Sequence, residues 1–352
     1  MSLDVLSMEG EALNACLEEM GEKRFRGKQI ISWLHGALAE DYDQMTNLSK
    51  ALRARLSKEA PLMLPVKERV FSSQIDETQK YLFRLSDGQL VESVLMKHSY
   101  GYSACISSQA GCAMGCRFCA SGIGGFVRDL TAGEMLGQVY AMQRDLFQRK
   151  ERVSHIVVMG TGEPLLNLDN LLAFIRILSD EKGQRLSRRN MTVSTCGIVP
   201  GIERLSQEGL PITLALSLHA ATQEKRKEIM PIAKKYPLEA VLAACQTYFE
   251  RTGRRVTYEY AMMAGFNDSE KDARRLAALL GRGAHVNLIP LNAVKEHALS
   301  APSAFVLERF AAILRREGVN ATIRRSLGAD IEGACGQLRR KYADDTYGTV
   351  RT

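Results

Sequence analysis

The segment "SSQAGCAMGCRFCASG" (residues 107–122) sets Cys112, Cys116 and Cys119 in the spacing C-x-x-x-C-x-x-C. A structural zinc site takes four protein ligands, commonly two C-x-x-C pairs. No second pair exists in this chain, and the nearest additional thiol, Cys105, lies seven residues upstream. Iron–sulfur clusters are held by Cys thiolates, usually four. A loop with three leaves one iron without a protein ligand, and an open position is a catalytic feature where a small molecule docks. Zinc stays open as a second reading of the spacing.

The surroundings of that loop set the expected fold. Apolar strands read at 103–109, 154–160, 190–196, 212–219, 255–262 and 285–292. Helical patterns follow them at 131–149, 168–181, 198–208, 238–251, 269–281 and 303–317. Six β–α units in succession imply a parallel sheet covered by helices. Six are too few for the closed eight-fold barrel and suit an open one, with its site at the carboxyl ends of the strands. Upstream, "GEALNACLEEM" and "GKQIISWLHGAL" carry Leu13, Leu17, Ile30, Ile31 and Leu34 at helical spacing, and Pro61 and Pro65 end that section. Residues 80–96 read as two alternating runs about Asp87–Gly88, a hairpin signal. The expected organisation is an N-terminal helical unit (1–65), a hairpin segment (66–98), the β/α core (99–330) and a C-terminal loop and tail (331–352).

Apolar residues make up 45% and charged residues 25% of the 352, which points to a packed globular protein. The first twenty residues carry Asp4, Glu9, Glu11, Glu18 and Glu19, unlike a secretory leader. No run approaches the roughly eighteen apolar residues of a membrane span. A cytoplasmic protein is therefore expected. In that compartment the eight cysteines should not form a structural disulfide framework. Cys16 and Cys245 fall in helical apolar patterns and read as core. The net charge of +7 is gathered in clusters, including Arg188–Arg189, Lys225–Arg226–Lys227, Lys234–Lys235 and Arg339–Arg340–Lys341. Any one cluster reads as solvated surface; together they favour a polyanionic partner.

The three-cysteine loop after the first strand of a six-fold β/α series resembles the radical S-adenosylmethionine (SAM) superfamily. "GTGEPLLN", "VSTCGIVP", "LSLHA", "NLIPLN" and "GADIEGACGQL" follow in the order seen in RlmN-type adenine carbon-2 methyltransferases, and "KRFRGKQIISWLH" and "VTYEYAMMAGFNDS" are similar too. The resemblance covers nearly the whole chain. It implies an open (β/α)6 partial TIM barrel, one 4Fe–4S cluster on Cys112, Cys116 and Cys119, and two SAM per turnover. SAM contacts are implied at Gly162, Glu163, Ser194, Ser217, Leu218, His219 and Asn292. Taken singly, Glu163 reads as a residue favoured by a helix N-terminus, Ser194 and Asn292 as caps or turns, and His219 as a hydrogen-bonded core histidine.

The resemblance further implies that Cys335 carries the methyl group, that Cys105 forms a disulfide with it after transfer, and that Glu92 accepts a proton. On residue type alone Cys335 is an ordinary thiol in a glycine-rich loop, Cys105 a buried strand cysteine, and Glu92 a solvent-facing strand carboxylate. The implied substrate is a specific adenine of 23S rRNA, and the adenine beside the anticodon in certain tRNAs. The implied electron donor is of the flavodoxin kind, and the implied state a monomer. The nearest rival is the sister Cfr type, which methylates carbon 8 of the same adenine and confers antibiotic resistance; "GEP" at Gly162–Pro164 is closer to the carbon-2 type. Two other classes compete: a non-enzymatic RNA-binding protein with a structural metal, and a radical enzyme acting on a small molecule or protein.

Overall fold

Seven parallel strands, rather than six, carry the fold in a computed structural model that describes residues 3–294, 296 and 298–338. The strands are β1 (Val66–Ser72), β2 (Gln79–Arg84), β3 (Leu90–His98), β4 (Gly101–Cys105), β5 (Gln109–Gly111), β6 (Phe126–Asp129), β7 (Val153–Val158), β8 (Met191–Thr195), β9 (Thr213–Ser217), β10 (Val256–Met262), β11 (His285–Pro290) and β12 (Asn320–Ile323). Ten of them form one sheet in the order β1-β2-β3-β4-β7-β8-β9-β10-β11-β12. From β4 to β12 every pairing is parallel, and β1, β2 and β3 extend the β4 edge as an antiparallel meander. The order does not close on itself, so the barrel is open, as in the radical SAM fold.

Helices α1 (Gly10–Glu19), α2 (Phe25–Ile31) and α3 (Lys50–Glu59) precede the sheet. The crossovers carry α4 (Ala132–Phe147), α5 (Leu168–Leu178), α6 (Val199–Gln207), α7 (Gln223–Ile229), α8 (Leu238–Thr252), α9 (Glu270–Leu280) and α10 (Ala304–Arg316). A capping box of Thr131 and Glu134 starts α4, the first of the crossover helices.

Three sequence expectations need correction. The first core strand stops at Cys105 instead of running to 109. There the Ser107 hydroxyl donates to Glu92 O (2.6 Å) and accepts from Thr161 N (2.9 Å), diverting the chain from the ladder. Residues 109–111 then pair with β6 as a separate ribbon at the base of the cysteine loop. Cys16 is only half-buried, whereas Cys245 lies in the core. The basic cluster Lys225–Arg226–Lys227 is not simply solvated surface, because Arg226 is fully buried. The triplet Arg339–Arg340–Lys341 and the tail beyond Leu338 lie outside the described residues.

Residues 1–65 were expected as a separate unit, yet Leu13, Leu17, Ile30 and Leu34 share one continuous hydrophobic core with α4, α5 and the sheet. Gly133 and Gly137, one turn apart on α4, make the close approach possible. A Cβ on Gly137 would lie 2.3 Å from Pro65 Cδ, and one on Gly133 would lie 3.0 Å from Asp4 Oδ1. The Gly133 N–H donates to Ser7 Oγ (2.7 Å), and the buried His35 Nδ1 bonds Tyr140 OH (2.8 Å). Gly137→Ala should therefore destabilise the protein by about 1–3 kcal/mol, the usual cost of overpacking. Urea unfolding checks this; an unchanged midpoint would refute the tight approach of Pro65.

Candidate active site at the mouth of the parallel sheet

The cysteine loop is built on the β5–β6 ribbon. Gly111 sits at φ +79°, and a Cβ there would fall 1.9 Å from Gly125 O, so only glycine fits. Cys112 N–H donates to Gly125 O (3.2 Å), and Cys119 N–H to Cys116 O (3.1 Å). Arg128 anchors the ribbon through Asp87 of the β2–β3 turn (2.7 Å) and Glu134 of α4 (2.8 Å). All three loop cysteines are half-buried thiols.

Their electrostatics show what the loop can hold. Desolvation pushes the Cys112 thiol up to about 11 and raises Cys116 further, and the neighbouring Cys119 adds to both shifts. Left alone, such thiols stay protonated. A bound iron centre reverses this, because a coordinating thiol is deprotonated outright. Among the described residues, no three His, Cys, Asp or Glu side chains converge closely enough for a single metal ion. A cluster spreads its thiolates farther apart than one ion does, and three thiols coupled around a dry loop fit that group.

The strand ends next to the loop are tied together. Gly162 sits at φ +113° against Gln109, where a Cβ would lie 2.6 Å from the Gln109 Cβ. The buried Glu163 carboxylate accepts from Leu165 N (3.1 Å) and from Cys196 N (2.7 Å), so it caps the Pro164–Leu166 turn and joins the ends of β7 and β8. Ser194 on β8 and Ser217 on β9 are half-buried, and Leu218 is buried. His219 takes a left-handed φ of +57°. Its Nδ1 accepts the Ala261 N–H (2.9 Å), and its ring meets Phe118 of the cysteine loop edge-on at 4.7 Å. Burial and then the Arg226 charge push this imidazole down to about 3. His219 is thus neutral and fastens the loop to the β9 end.

Cys335 reaches the same mouth on the C-terminal loop. Asn292 Nδ2 donates to Cys335 O (3.0 Å), and Ala120 N–H of the cysteine loop donates to Gly336 O (2.8 Å). Ser121 Oγ donates to Leu338 O (2.7 Å). The loop also bridges the two edges of the open sheet: Asp330 accepts from Ser73 Oγ (2.8 Å) and Gln74 N (2.8 Å), and Asp76 accepts from Gly328 N (3.0 Å). Cys335 is solvent-exposed as a residue, yet its thiol is desolvated, as expected for a group lining a cleft. Desolvation pushes it up to about 12, with Glu259 and Cys119 adding to the shift and Arg324 opposing it. Cys105 at the end of β4 is pushed up to about 12 by burial and then by Cys335. Both are free thiols in this structure.

Glu92 is not the solvent-facing carboxylate that residue type suggested. It is buried and paired with buried Lys80 at 3.1 Å, and Lys80 Nζ also approaches Glu332 O (3.4 Å). The ladder aligns Lys80 with Val94 and Val94 with Cys105, so Lys80, Glu92 and Cys105 share one face of the sheet. Sequence reasoning missed Lys80, Glu259 and Arg226. Lys80 sits in an alternating run where a lysine reads as outward-facing.

Residues 3–62 match the model of the ribosomal RNA large subunit methyltransferase N-terminal domain, and residues 106–277 match that of the radical SAM superfamily. The chain is 52% identical to the "Probable dual-specificity RNA methyltransferase RlmN" of Lachnoclostridium phytofermentans, over 98% of this chain and 96% of the relative. It is 50% identical to the protein of the same name from Symbiobacterium thermophilum, over 94% and 90%. The crystal structure of a radical SAM methyltransferase from Sphaerobacter thermophilus superposes with a TM-score of 0.92 at 43% identity, covering 96% of this chain and 99% of that one.

The chain belongs to the RlmN family of radical SAM methyltransferases. As a radical SAM enzyme it uses a 4Fe–4S cluster and SAM. Among the described residues, no helix is long and apolar enough to cross a membrane.

Two outcomes test the RlmN-family site. Because the Cys335 thiol lies near 12, its thiolate fraction grows about tenfold per pH unit from 7 to 9, without the levelling of an ordinary thiol near 8.5. Iodoacetamide labelling of the iron-free protein, read by peptide mass spectrometry, should follow that slope; a plateau by pH 9 would refute the enclosed thiol. Lys80→Met should cost about 3–5 kcal/mol, and adding Glu92→Gln should recover part of it, as for a buried ion pair. Additive losses in denaturant unfolding would rule out the pairing.

Proposed function

We propose that the chain methylates carbon 2 of an adenine in 23S rRNA, and of the adenine beside the anticodon in some tRNAs, with Cys335 as the methyl carrier. The observation that carries this reading is the meeting of Cys335, Cys105 and the three-cysteine loop at one mouth. The relatives' printed description as dual-specificity RNA methyltransferases supports an RNA substrate of two kinds.

Carbon 2 of adenine lies between two ring nitrogens and is electron-poor, so it is a weak nucleophile toward a sulfonium methyl. A thiolate is a good one. A carrier thiol therefore divides the reaction into two steps, each within reach. Cys112, Cys116 and Cys119 hold the cluster, and Gly162, Glu163, Ser194, Ser217, Leu218, His219 and Asn292 seat SAM. Cluster and cofactor together supply one-electron cleavage of the sulfonium to a 5′-deoxyadenosyl radical. One SAM serves the methyl and a second serves the radical, two per turnover.

The remaining work falls to the protein's own side chains. Cys335 loses its proton, becomes a methyl thioether, and presents that carbon to the base. Asn292 and the backbone of Ala120 hold the Cys335 loop over the cluster loop. Lys80 fixes the Glu92 carboxylate on the face shared with Cys105, where it accepts the proton leaving carbon 2. Cys105 attacks the Cys335 sulfur, frees the methylated base, and leaves a disulfide that a reductant must open before the next cycle. An electron donor of the flavodoxin kind and a monomeric enzyme complete the proposal. The helical unit, residues 1–65, grips RNA, supported by exposed Lys23, Lys28, Lys50 and Lys58 and by the family model matched there.

Nucleoside mass spectrometry after reaction with 23S rRNA tests the assignment. The expected product is 2-methyladenosine; a carbon-8 product would replace this reading with the sister activity. Cys335→Ala should lose all transfer while keeping full iron content, and Cys105→Ala should accumulate protein-linked RNA.

A further inference from the structure

Arg226 is the largest fully buried side chain in the protein. It sits on α7, in a stretch "QEKRKEI" that otherwise reads as a solvated charged turn. Its Nη2 donates to Cys196 O (2.6 Å) and approaches Ser217 O (3.4 Å), binding the ends of β8 and β9. Its Nε and Nη1 are buried and have no hydrogen-bond partner. Among the described residues, no carboxylate forms a salt bridge with it. A buried guanidinium left in this state is costly, which marks a place where an anion is expected.

The groups facing it are sulfur-bearing. Cys116 of the cysteine loop, Cys196 and Cys245 are the groups that favour its charge, and the neutral His219 stands close by. Glu163 is the one carboxylate in this neighbourhood; it lies near Cys112 and Cys116, and its oxygens take the Leu165 and Cys196 N–H groups. The cysteine loop is strapped to α7 directly: Arg117 N–H donates to Ile229 O (2.9 Å), and Gly115 packs against Pro231. Arg226 is thereby held against Cys116 by backbone bonds, independent of its own side-chain contacts.

We propose that Arg226 is the fixed counter-charge of the iron–sulfur cluster, stabilising the extra negative charge that the cluster takes up on one-electron reduction. Three thiolates on a core of charge 2+ give a net charge of −1. One electron from a low-potential flavoprotein or from dithionite brings it to −2, with no bond made or broken. A desolvated cation beside one thiolate favours the second state over the first, and cluster potentials respond to local charge and to hydrogen bonds on the sulfurs. Arg226 is a positioning residue in this account, since it acts through Cys116 and not on the substrate. The inference rests on the assignment of Cys112, Cys116 and Cys119 as cluster ligands.

The test is a redox titration of the full-length chain, reconstituted anaerobically, with the reduced-cluster EPR signal followed against potential. Arg226→Met and Arg226→Gln should leave at least tenfold less reduced cluster at equilibrium, a midpoint about 59 mV more negative for one electron. Arg226→Lys, which keeps the charge but not the fork of donors, should stay near the parent. If the neutral variants fail to retain iron while the lysine variant retains it, the need for positive charge is equally supported. Neutral variants with the parent midpoint would overturn the proposal. So would a lysine variant that shifts, or loses iron, as far as the neutral ones, since Arg226 would then serve packing alone. Absence of iron in the parent chain would instead sink the ligand assignment.

Discussion

Three thiols set facing one another in a dry loop are an arrangement that no protein keeps for packing. Burial and mutual repulsion both resist their ionisation. Only a positively charged centre makes the loop comfortable, and much of the surrounding structure serves to keep the loop in shape for it. The β5–β6 ribbon pinches its base, Arg128 ties that ribbon to the hairpin and to α4, and Phe118 rests on the His219 ring. The short helix α7 supplies the remaining wall, with Ile229 O receiving the Arg117 N–H.

The second constraint is that chemistry at two sulfur sites has to be kept in register. Ala120 and Ser121, immediately after the last loop cysteine, bond the backbone on either side of Gln337. Asn292 at the end of β11 holds the carbonyl of Cys335 itself. The thiol of Cys335 therefore shares its supports with the cluster loop, and no separate rigid element is needed to carry it.

Much of this was legible from residue patterns. The six expected strands and the helices between them lie where apolar periodicity put them, and Asp87–Gly88 does turn a hairpin. Strand β12 was missed because "NATI" is four residues long with alternate positions exposed, too short for a periodic signal. Strand β1 was missed because "VKERVFS" lies at the sheet edge, where charges are at home. The side chains missed in the site share one physical origin. Lys80 and Arg226 are charged residues in segments whose composition predicts solvent, and each is buried by a partner distant in sequence. Burial of that kind depends on which face meets a neighbour, and local sequence does not encode it. The cysteine spacing, by contrast, is a local constraint and could be read directly.

The open edge of the sheet gives the C-terminal loop a mechanical role. A ring sealed by a backbone ladder opens only by unzipping many bonds in concert. Here the gap is spanned by a clasp of a few side-chain contacts, Asp330 on Ser73 and Gln74, and Asp76 on Gly328. Each such contact contributes only about 0.5–1.5 kcal/mol. The segment that bears the reactive sulfur is thus also the gate in the wall, and a bulky polymer tethered to it can leave sideways when the clasp lets go.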